Sequence, residues 1–209
     1  MGEIGLDDIA IEIPIGRIAA LRRSEPGAPK VLALHGWLDN AASFIPLSAQ
    51  LPGLDLVAID LPGHGRSAHL PPGADYSFVG AINAILDVAD ALGWGRFAFL
   101  GHSMGAGLAS MIAAACPERI ERLVAIEALG ALAGLSREAV DGQVVTGLDV
   151  VLTMGRDGPT RRVIDIGVVG SEDARVVVRS AVSRAHPGTL VRGPGWDRLE
   201  EVTGLESPP

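Results

Sequence analysis

The feature that most constrains this chain is a single serine in a glycine-flanked turn, the segment Gly101-His102-Ser103-Met104-Gly105. A short apolar and aromatic run precedes it and a segment rich in Ala, Leu and Met follows, which predicts a strand, a tight turn and a helix. In such a turn the neighbours of the serine pass each other closely, so a Cβ atom at either flanking glycine would clash. The hydroxyl is held out from the backbone, beside the positive end of the helix. We therefore predict that Ser103 is a nucleophile.

The composition limits the classes of protein to which this chain can belong. The 209 residues are 48% apolar and 20% charged, which is typical of one globular domain. The net charge of −8 argues against a nucleic-acid partner, and no run of about eighteen uncharged apolar residues predicts a membrane span. The single cysteine, Cys116, excludes an internal disulfide, and the first residues lack the layout of a signal peptide. We expect a cytoplasmic protein, with its oligomeric state left open.

Strands and helices alternate between Lys30 and Glu127, which predicts a mostly parallel α/β sheet with helices on both faces. Two β-prone runs ahead of it predict an N-terminal hairpin. In such a sheet the functional site lies beyond the carboxyl ends of the strands. The predicted elements are the hairpin strands Ile9–Ile13 and Gly16–Leu21, the strands Lys30–His35, Leu54–Asp60, Phe97–Leu100 and Ile120–Ile126, and the helices Ser43–Leu51, Ser77–Leu92 and the one after Ser103.

The pattern weakens after about Leu129. We predict one domain over residues 1–209, with a regular core over 1–129 and an atypical tail over 130–209. The segment Arg161 to Gly170 alternates ambiguously between strand and helix. The candidate elements of the tail are a helix over Leu135–Val145, strands over Leu148–Met154 and Ala174–Val178, and a terminal helix over Trp196–Val202.

Several motifs occur together in an order that resembles the α/β-hydrolase fold. They are His35-Gly36-Trp37, the run from Asp60 to Ser67, the serine turn, and the run from Cys116 to Val124. The segment His35-Gly36-Trp37-Leu38-Asp39-Asn40 is particularly similar to the corresponding motif of the serine hydrolase-like subfamily. The resemblance implies hydrolysis of a small carboxylic ester or thioester by a Ser–His–acid triad, with no cofactor and no metal. It implies a small-molecule substrate without naming it.

The carboxyl end departs from the family pattern. Family members usually insert a helical cap after the strand that ends here near Glu127, and then add two strands that carry the acid and the histidine. About eighty residues follow Glu127, which is too few for a full cap and both strands. Either this is a hydrolase whose cap is reduced or missing, or its natural carboxyl half has been lost or replaced.

The family's chain order of serine, acid and histidine leaves one candidate base. His186 is the only histidine after Ser103. For the acid two residues compete: Asp157 follows an apolar run 29 residues before His186, and Glu127 closes the preceding strand, a position that some relatives use. We favour Asp157 narrowly and keep Glu127 as the alternative. We interpret Asp60 as a structural acid that orients the loop after its strand.

The family resemblance also assigns the oxyanion hole, to the backbone N–H groups of Trp37 and Met104. The principal prediction is therefore a serine hydrolase of the ester or thioester type. One alternative is cofactor-free chemistry on a carbon–carbon or peroxide bond. The alternative from another class is a non-catalytic protein with an incomplete triad. A complete triad requires parallel strands over Leu148–Met154 and Ala174–Val178, joined by one crossover, that carry Asp157 and His186 to the edge of the sheet where Ser103 lies.

Overall fold

The computed structural model describes residues 5–71, 73, 76–127, 150–157, 160–172, 175–186 and 189–203. Its ten strands are β1 (Asp7–Ile13), β2 (Gly16–Arg23), β3 (Lys30–Leu34), β4 (Asp55–Ile59), β5 (Phe97–His102), β6 (Ile120–Ile126), β7 (Val150–Asp157), β8 (Thr160–Glu172), β9 (Arg175–His186) and β10 (Thr189–Arg192). Its helices are α1 (Ile45–Ser48), α2 (Phe78–Ala91), α3 (Met104–Ala115) and α4 (Trp196–Thr203), with 3-10 helices at Ala41–Phe44 and Pro117–Arg119. Within these ranges no helix is long and apolar enough to cross a membrane.

All ten strands form one sheet, in the order β1-β2-β4-β3-β5-β6-β7-β8-β9-β10. The five central strands, from β4 to β7, pair in parallel, and β1 and β2 form the antiparallel hairpin that precedes them. The predicted parallel α/β sheet with an N-terminal hairpin is therefore confirmed. The carboxyl ends of the central strands share one edge, which is where the serine turn lies.

Helices cover both faces of the central sheet because its strands are apolar on both sides. All five residues of β4 are buried. One core packs α2 and α3 against residues such as Leu32 and Leu34, and the other packs the Ala41–Phe44 helix against Val31 and Ala33. Fully burying one large aliphatic side chain contributes about 1.5–3 kcal/mol, so each such residue in these two layers stabilises the core.

The predicted helix over Ser77–Leu92 is confirmed as α2. The hydroxyl of Ser77 accepts a hydrogen bond from the Gly80 N–H at 3.2 Å, and Gly93 follows with a φ of +69°. The predicted helix over Ser43–Leu51 is wrong in its bounds. A 3-10 helix capped by Asn40 begins at Ala41, and α1 extends only from Ile45 to Ser48. The proline in the first turn of α1 has no N–H to continue the preceding turn, so the segment divides there.

The tail is an antiparallel meander added to the parallel sheet. β7 pairs in parallel with β6, as expected, but β8 and β9 then pair antiparallel with their predecessors. The expected crossover between two parallel strands is therefore wrong: Thr160–Glu172 is the strand β8, in keeping with its many β-branched residues. The terminal helix is confirmed as α4, which packs Leu199 against β7, β8 and β9. The predicted helix over 135–145 lies outside the described residues.

Candidate active site

Ser103 occupies the turn between β5 and α3 in a strained backbone conformation. Its φ and ψ are 51° and −112°, a region that residues other than glycine rarely adopt and that costs about 1–3 kcal/mol. The turn is held in place because the Ser103 N–H donates to the Ile126 carbonyl at 2.8 Å and the Ser103 carbonyl accepts from Gly107 at 3.1 Å. The surrounding hydrogen bonds thus stabilise a conformation that the serine alone would not adopt.

The steric role predicted for the two flanking glycines is confirmed. A Cβ atom on Gly101 would lie 2.5 Å from the Cα of Ala106, and one on Gly105 would lie 2.2 Å from the carbonyl oxygen of Leu34. Both contacts are with backbone atoms, which cannot rotate away. A side chain at either position would therefore push the backbone of the turn away from its neighbours.

The loop after β3 lies against the serine. A Cβ atom on Gly36 would lie 3.4 Å from the Cβ of Ser103, which shows how close the two segments are. Trp37 follows directly, and its side chain is 65% exposed. Met104 is the first residue of α3, and the first N–H groups of a helix have no partner within it. The loop and the helix start therefore flank Ser103, although the donor roles of Trp37 and Met104 stay predictions.

His35 holds this loop to the next one as a neutral ring. Its Nε2 accepts from the Leu61 N–H at 2.9 Å, so the proton lies on Nδ1, which donates to the Gly36 carbonyl at 2.7 Å. Burial lowers the pKa of His35, partly offset by that bond to Gly36, while the nearby His64 lowers the pKa further. His35 is thus a structural residue that links the loops after β3 and β4.

The interpretation of Asp60 as a structural acid is confirmed. Its carboxylate accepts from the Ala41 N–H at 2.8 Å and from the Arg66 N–H at 2.7 Å. The hydroxyl of Ser67 donates to the Asp60 carbonyl at 2.6 Å. A Cβ atom on Gly65 would fall 2.1 Å from the carboxylate, so the loop wraps tightly around it.

A histidine–carboxylate pair that the sequence did not reveal lies beside the turn. Nε2 of His102 is 3.3 Å from Oε2 of Glu127, and the ring lies against Gly36 on its other side. Glu127 has a φ of 53°, a second strained residue at this edge. The pair lines a cavity of about 250 Å³ that also includes Asp39. Burial opposes ionisation of Asp39, but hydrogen bonds from Ser43 and Asn40 outweigh it and lower the pKa of its carboxyl.

Asp157 and His186 are the last residues of β7 and β9. Three strands, β6, β7 and β8, separate β9 from β5. At about 4.8 Å per strand, β5 and β9 lie about 19 Å apart in the plane of the sheet. The strand order therefore does not bring His186 beside Ser103.

A second pocket, of about 350 Å³, begins on the other side of the serine turn. Trp37 and Met104, the two predicted oxyanion donors, line its upper part, and the buried side chains of Leu61 and Leu108 form its floor. The remaining lining residues are Leu38, Pro62, Gly63, His64, His69, Tyr76, Ser77 and Ala81. None of the lining residues carries a carboxylate, an ammonium or a guanidinium group, so the pocket is suited to an apolar group.

No group of three or more His, Cys, Asp or Glu side chains among the residues that the structure describes is arranged to hold a metal ion.

Comparison with known proteins places residues 29–144 within the family model described as alpha/beta hydrolase fold. A serine hydrolase-like protein of Dictyostelium discoideum is 41% identical over 131 residues, which cover 60% of this chain and 36% of that protein. A hypothetical protein of Pseudomonas aeruginosa, solved by crystallography, is 46% identical with a TM-score of 0.56, covering 60% of this chain and 44% of that one.

The thioesterase domain from the curacin biosynthetic pathway, also a solved structure, is 35% identical with a TM-score of 0.53. The match covers 59% of this chain and 46% of that domain. The matched region thus spans less than half the length of each of these three relatives.

Proposed function

The chain belongs to the α/β-hydrolase fold family, and from that premise we propose that it hydrolyses small carboxylic esters or thioesters with Ser103 as the nucleophile. The observation that carries the proposal is the strained, glycine-flanked turn that presents Ser103 between β5 and α3. Strain of this kind persists where the surrounding structure enforces it, and it clusters at active sites. The likeness to serine hydrolase-like proteins and to a thioesterase domain supports the reaction class.

The proposed reaction has two steps. The Ser103 hydroxyl attacks the acyl carbon and gives its proton to a base, and the carbonyl oxygen becomes an oxyanion. The N–H groups of Trp37 and Met104 then donate to that oxyanion, an interaction that contributes about 3–4 kcal/mol per donor in related reactions. The alcohol or thiol leaves with a proton, and water later hydrolyses the acyl-serine.

For the base and the acid, the family's chain order favours His186 and Asp157, with Glu127 as the alternative acid, whereas the strand order separates His186 from Ser103. Glu127 already lies 3.3 Å from His102, so an acid role for it would compete with that pair. Replacement of His186 by Ala tests whether His186 is the base. We expect ester turnover to fall by at least about a hundredfold if His186 is the base, in line with the contribution of general bases elsewhere.

The composition supports a small-molecule substrate and a cytoplasmic location. The net charge of −8 disfavours nucleic acid, and one cysteine in 209 residues suits a reducing compartment.

A second candidate is a non-catalytic hydrolase-like protein, favoured by one observation. The strand β9, which ends at His186, is separated from β5 by three strands. If no other histidine acts as the base, Ser103 would remain an unactivated alcohol. The fold would then serve as a binding scaffold.

Labelling with a fluorophosphonate probe tests both candidates. We expect the unaltered chain to label, Ser103→Ala not to label, and Ser43→Ala to label fully, since Ser43 is an exposed serine outside the turn. A folded chain that does not react supports the non-catalytic candidate. Labelling that survives in Ser103→Ala shows that the nucleophile has been assigned wrongly. Turnover of p-nitrophenyl esters then establishes whether an acyl-serine is also hydrolysed.

A further inference from the structure

The chemistry described above assigns no ligand group to the pocket of about 350 Å³ beside the serine turn. We propose that it binds the acyl chain of the substrate, and that the preferred substrates are esters of linear, uncharged apolar acids. This inference rests on the proposed function for its ester chemistry, while the binding of an apolar chain can be tested without turnover.

The walls of the pocket are built by contacts that fix their side chains. Tyr76 lies over Gly63, where a Cβ atom would be 2.4 Å from the tyrosine ring, and its hydroxyl accepts from the Leu70 N–H at 2.8 Å. The rings of two further lining residues, Trp37 and His64, meet edge to face with their centroids 5.6 Å apart. These contacts fix the aromatic side chains before any ligand binds, so an acyl chain that enters need not order them.

The pocket leads from the protein surface towards the buried core. Its rim includes Trp37, Leu38 and Tyr76, which are 65%, 81% and 50% exposed, whereas Leu61 and Leu108 at its floor are almost fully buried. Leu38 has a φ of 56°, so a strained backbone holds an apolar side chain at the mouth. A flexible apolar chain could therefore pass from an exposed apolar rim to a buried apolar floor.

The polar groups of the pocket favour an uncharged ligand. Nδ1 of His64 lies 3.1 Å from the Pro62 carbonyl, and since a carbonyl only accepts, the ring donates there. The lining includes no Asp, Glu, Lys or Arg side chain. A charged acyl group would lose its hydration here with no carboxylate, ammonium or guanidinium group to compensate, which disfavours dicarboxylic and amino-acyl esters.

The topology assigns the pocket to the acyl side of the ester. The pocket is formed by the loops after β3 and β4 and by α2 and α3, whereas the candidate acids and base belong to strands on the other side of β5: Glu127 follows β6, and Asp157 and His186 end β7 and β9. The leaving group takes its proton from the base and therefore lies on the side of the base. With the carbonyl oxygen directed to the two backbone donors, the acyl chain is left to enter the pocket.

A pocket-filling variant tests the proposal. Ala81 lies on α2 and lines the pocket, and Ala91 is an exposed alanine at the end of the same helix, so Ala81→Leu and Ala91→Leu form a matched pair. The assay measures kcat/KM for p-nitrophenyl esters from acetate to decanoate. We expect kcat/KM of the unaltered chain to rise by about fourfold per added methylene until the pocket is full. Ala81→Leu should reach its maximum at a shorter chain, and Ala91→Leu should keep the original maximum.

Two controls keep the outcome decisive. Alkyl acetates of increasing alcohol length separate the acyl side from the leaving-group side, and Ala81→Met provides a milder filling variant if Ala81→Leu does not fold. A flat acyl-chain profile, a shared maximum in both leucine variants, or a preference that follows the alcohol chain overturns the proposal.

A binding measurement separates this proposal from the proposed function. Octanoate, the product of octanoyl ester hydrolysis, is titrated calorimetrically into Ser103→Ala and into Ser103→Ala combined with Ala81→Leu. If the chain has no esterase activity, binding that Ala81→Leu weakens by at least tenfold supports the pocket while the proposed function fails. An inactive chain that also does not bind octanoate overturns both.

Discussion

Adding a single methyl group at Gly105 tests how tightly the serine turn is packed. In Gly105→Ala the new Cβ atom would lie 2.2 Å from the Leu34 carbonyl oxygen and 2.7 Å from that of His35. Both oxygens belong to the backbone at the end of β3. Ordinary van der Waals contact therefore requires α3 and β3 to separate by roughly 1 Å, since a carbon and an oxygen in contact lie about 3.3 Å apart.

Two opposing contributions set the magnitude. Replacing glycine by alanine within a helix stabilises it by about 1 kcal/mol. Overpacking a close-packed interior costs up to about 3 kcal/mol, and here no side chain can rotate to relieve the contact. The steric contribution is larger, so we expect a net destabilisation of about 2 kcal/mol. For a chain of this length that corresponds to a Tm lower by roughly 4–8 °C.

Thermal unfolding followed by circular dichroism measures this effect, and fluorophosphonate labelling reports on the geometry of Ser103. The matched control is Gly95→Ala, because a Cβ atom at Gly95 meets no atom within 4 Å and its backbone does not have a positive φ. We expect the control to keep its Tm within about 2 °C. A Gly105→Ala protein that is as stable as the control and labels at full rate would refute the steric account of the turn.

Two further predictions concern the loops that support the site. The pKa of buried His35 is lowered in the folded state, so below about pH 6.5 the unfolded chain binds more protons and stability falls as the pH decreases towards the folded-state value. Urea unfolding between pH 8 and pH 5 should show this slope, and His35→Gln should show a smaller one; equal slopes would contradict the assignment of a neutral buried ring. Ser67→Ala should lower the free energy of unfolding by about 1–3 kcal/mol, because the buried hydroxyl accepts from the Ala19 N–H at 2.9 Å and donates to the Asp60 carbonyl. An unchanged urea midpoint for Ser67→Ala would show that neither hydrogen bond contributes to stability.

Much of the regular core could be predicted from the sequence because its signals are local. The strand Ile120–Ile126 has the predicted bounds, and α2 begins after Ser77 and ends before Gly93 as its caps indicate. Apolar periodicity and cap chemistry depend on neighbours within a few residues, so they are visible in one sequence. The steric need for glycine at both flanks of Ser103 is of the same kind, since the tight turn creates it.

The tail could be predicted less well because its structure depends on pairing between distant segments. The segment that became β8 has no clear period, and the choice between a crossover helix and an antiparallel strand is made by the hydrogen bonds that β7 and β9 offer it. The same reason explains why sequence reasoning expected a crossover there and was wrong. Asp157 and His186 were chosen by chain order, which does not specify how many strands lie between them and Ser103.

By itself, the sequence determined the parallel α/β core, the glycine-flanked turn at Ser103 and the structural role of Asp60. Only the tertiary structure decided what surrounds Ser103: that His102 meets Glu127, and that Tyr76 lies over Gly63 to form one wall of an apolar pocket. These contacts join residues on separate loops, and the residue types alone do not say which loops will meet. The physical reason is that backbone sterics and periodicity act along the chain, whereas a pocket arises between segments that the sheet brings together at one edge.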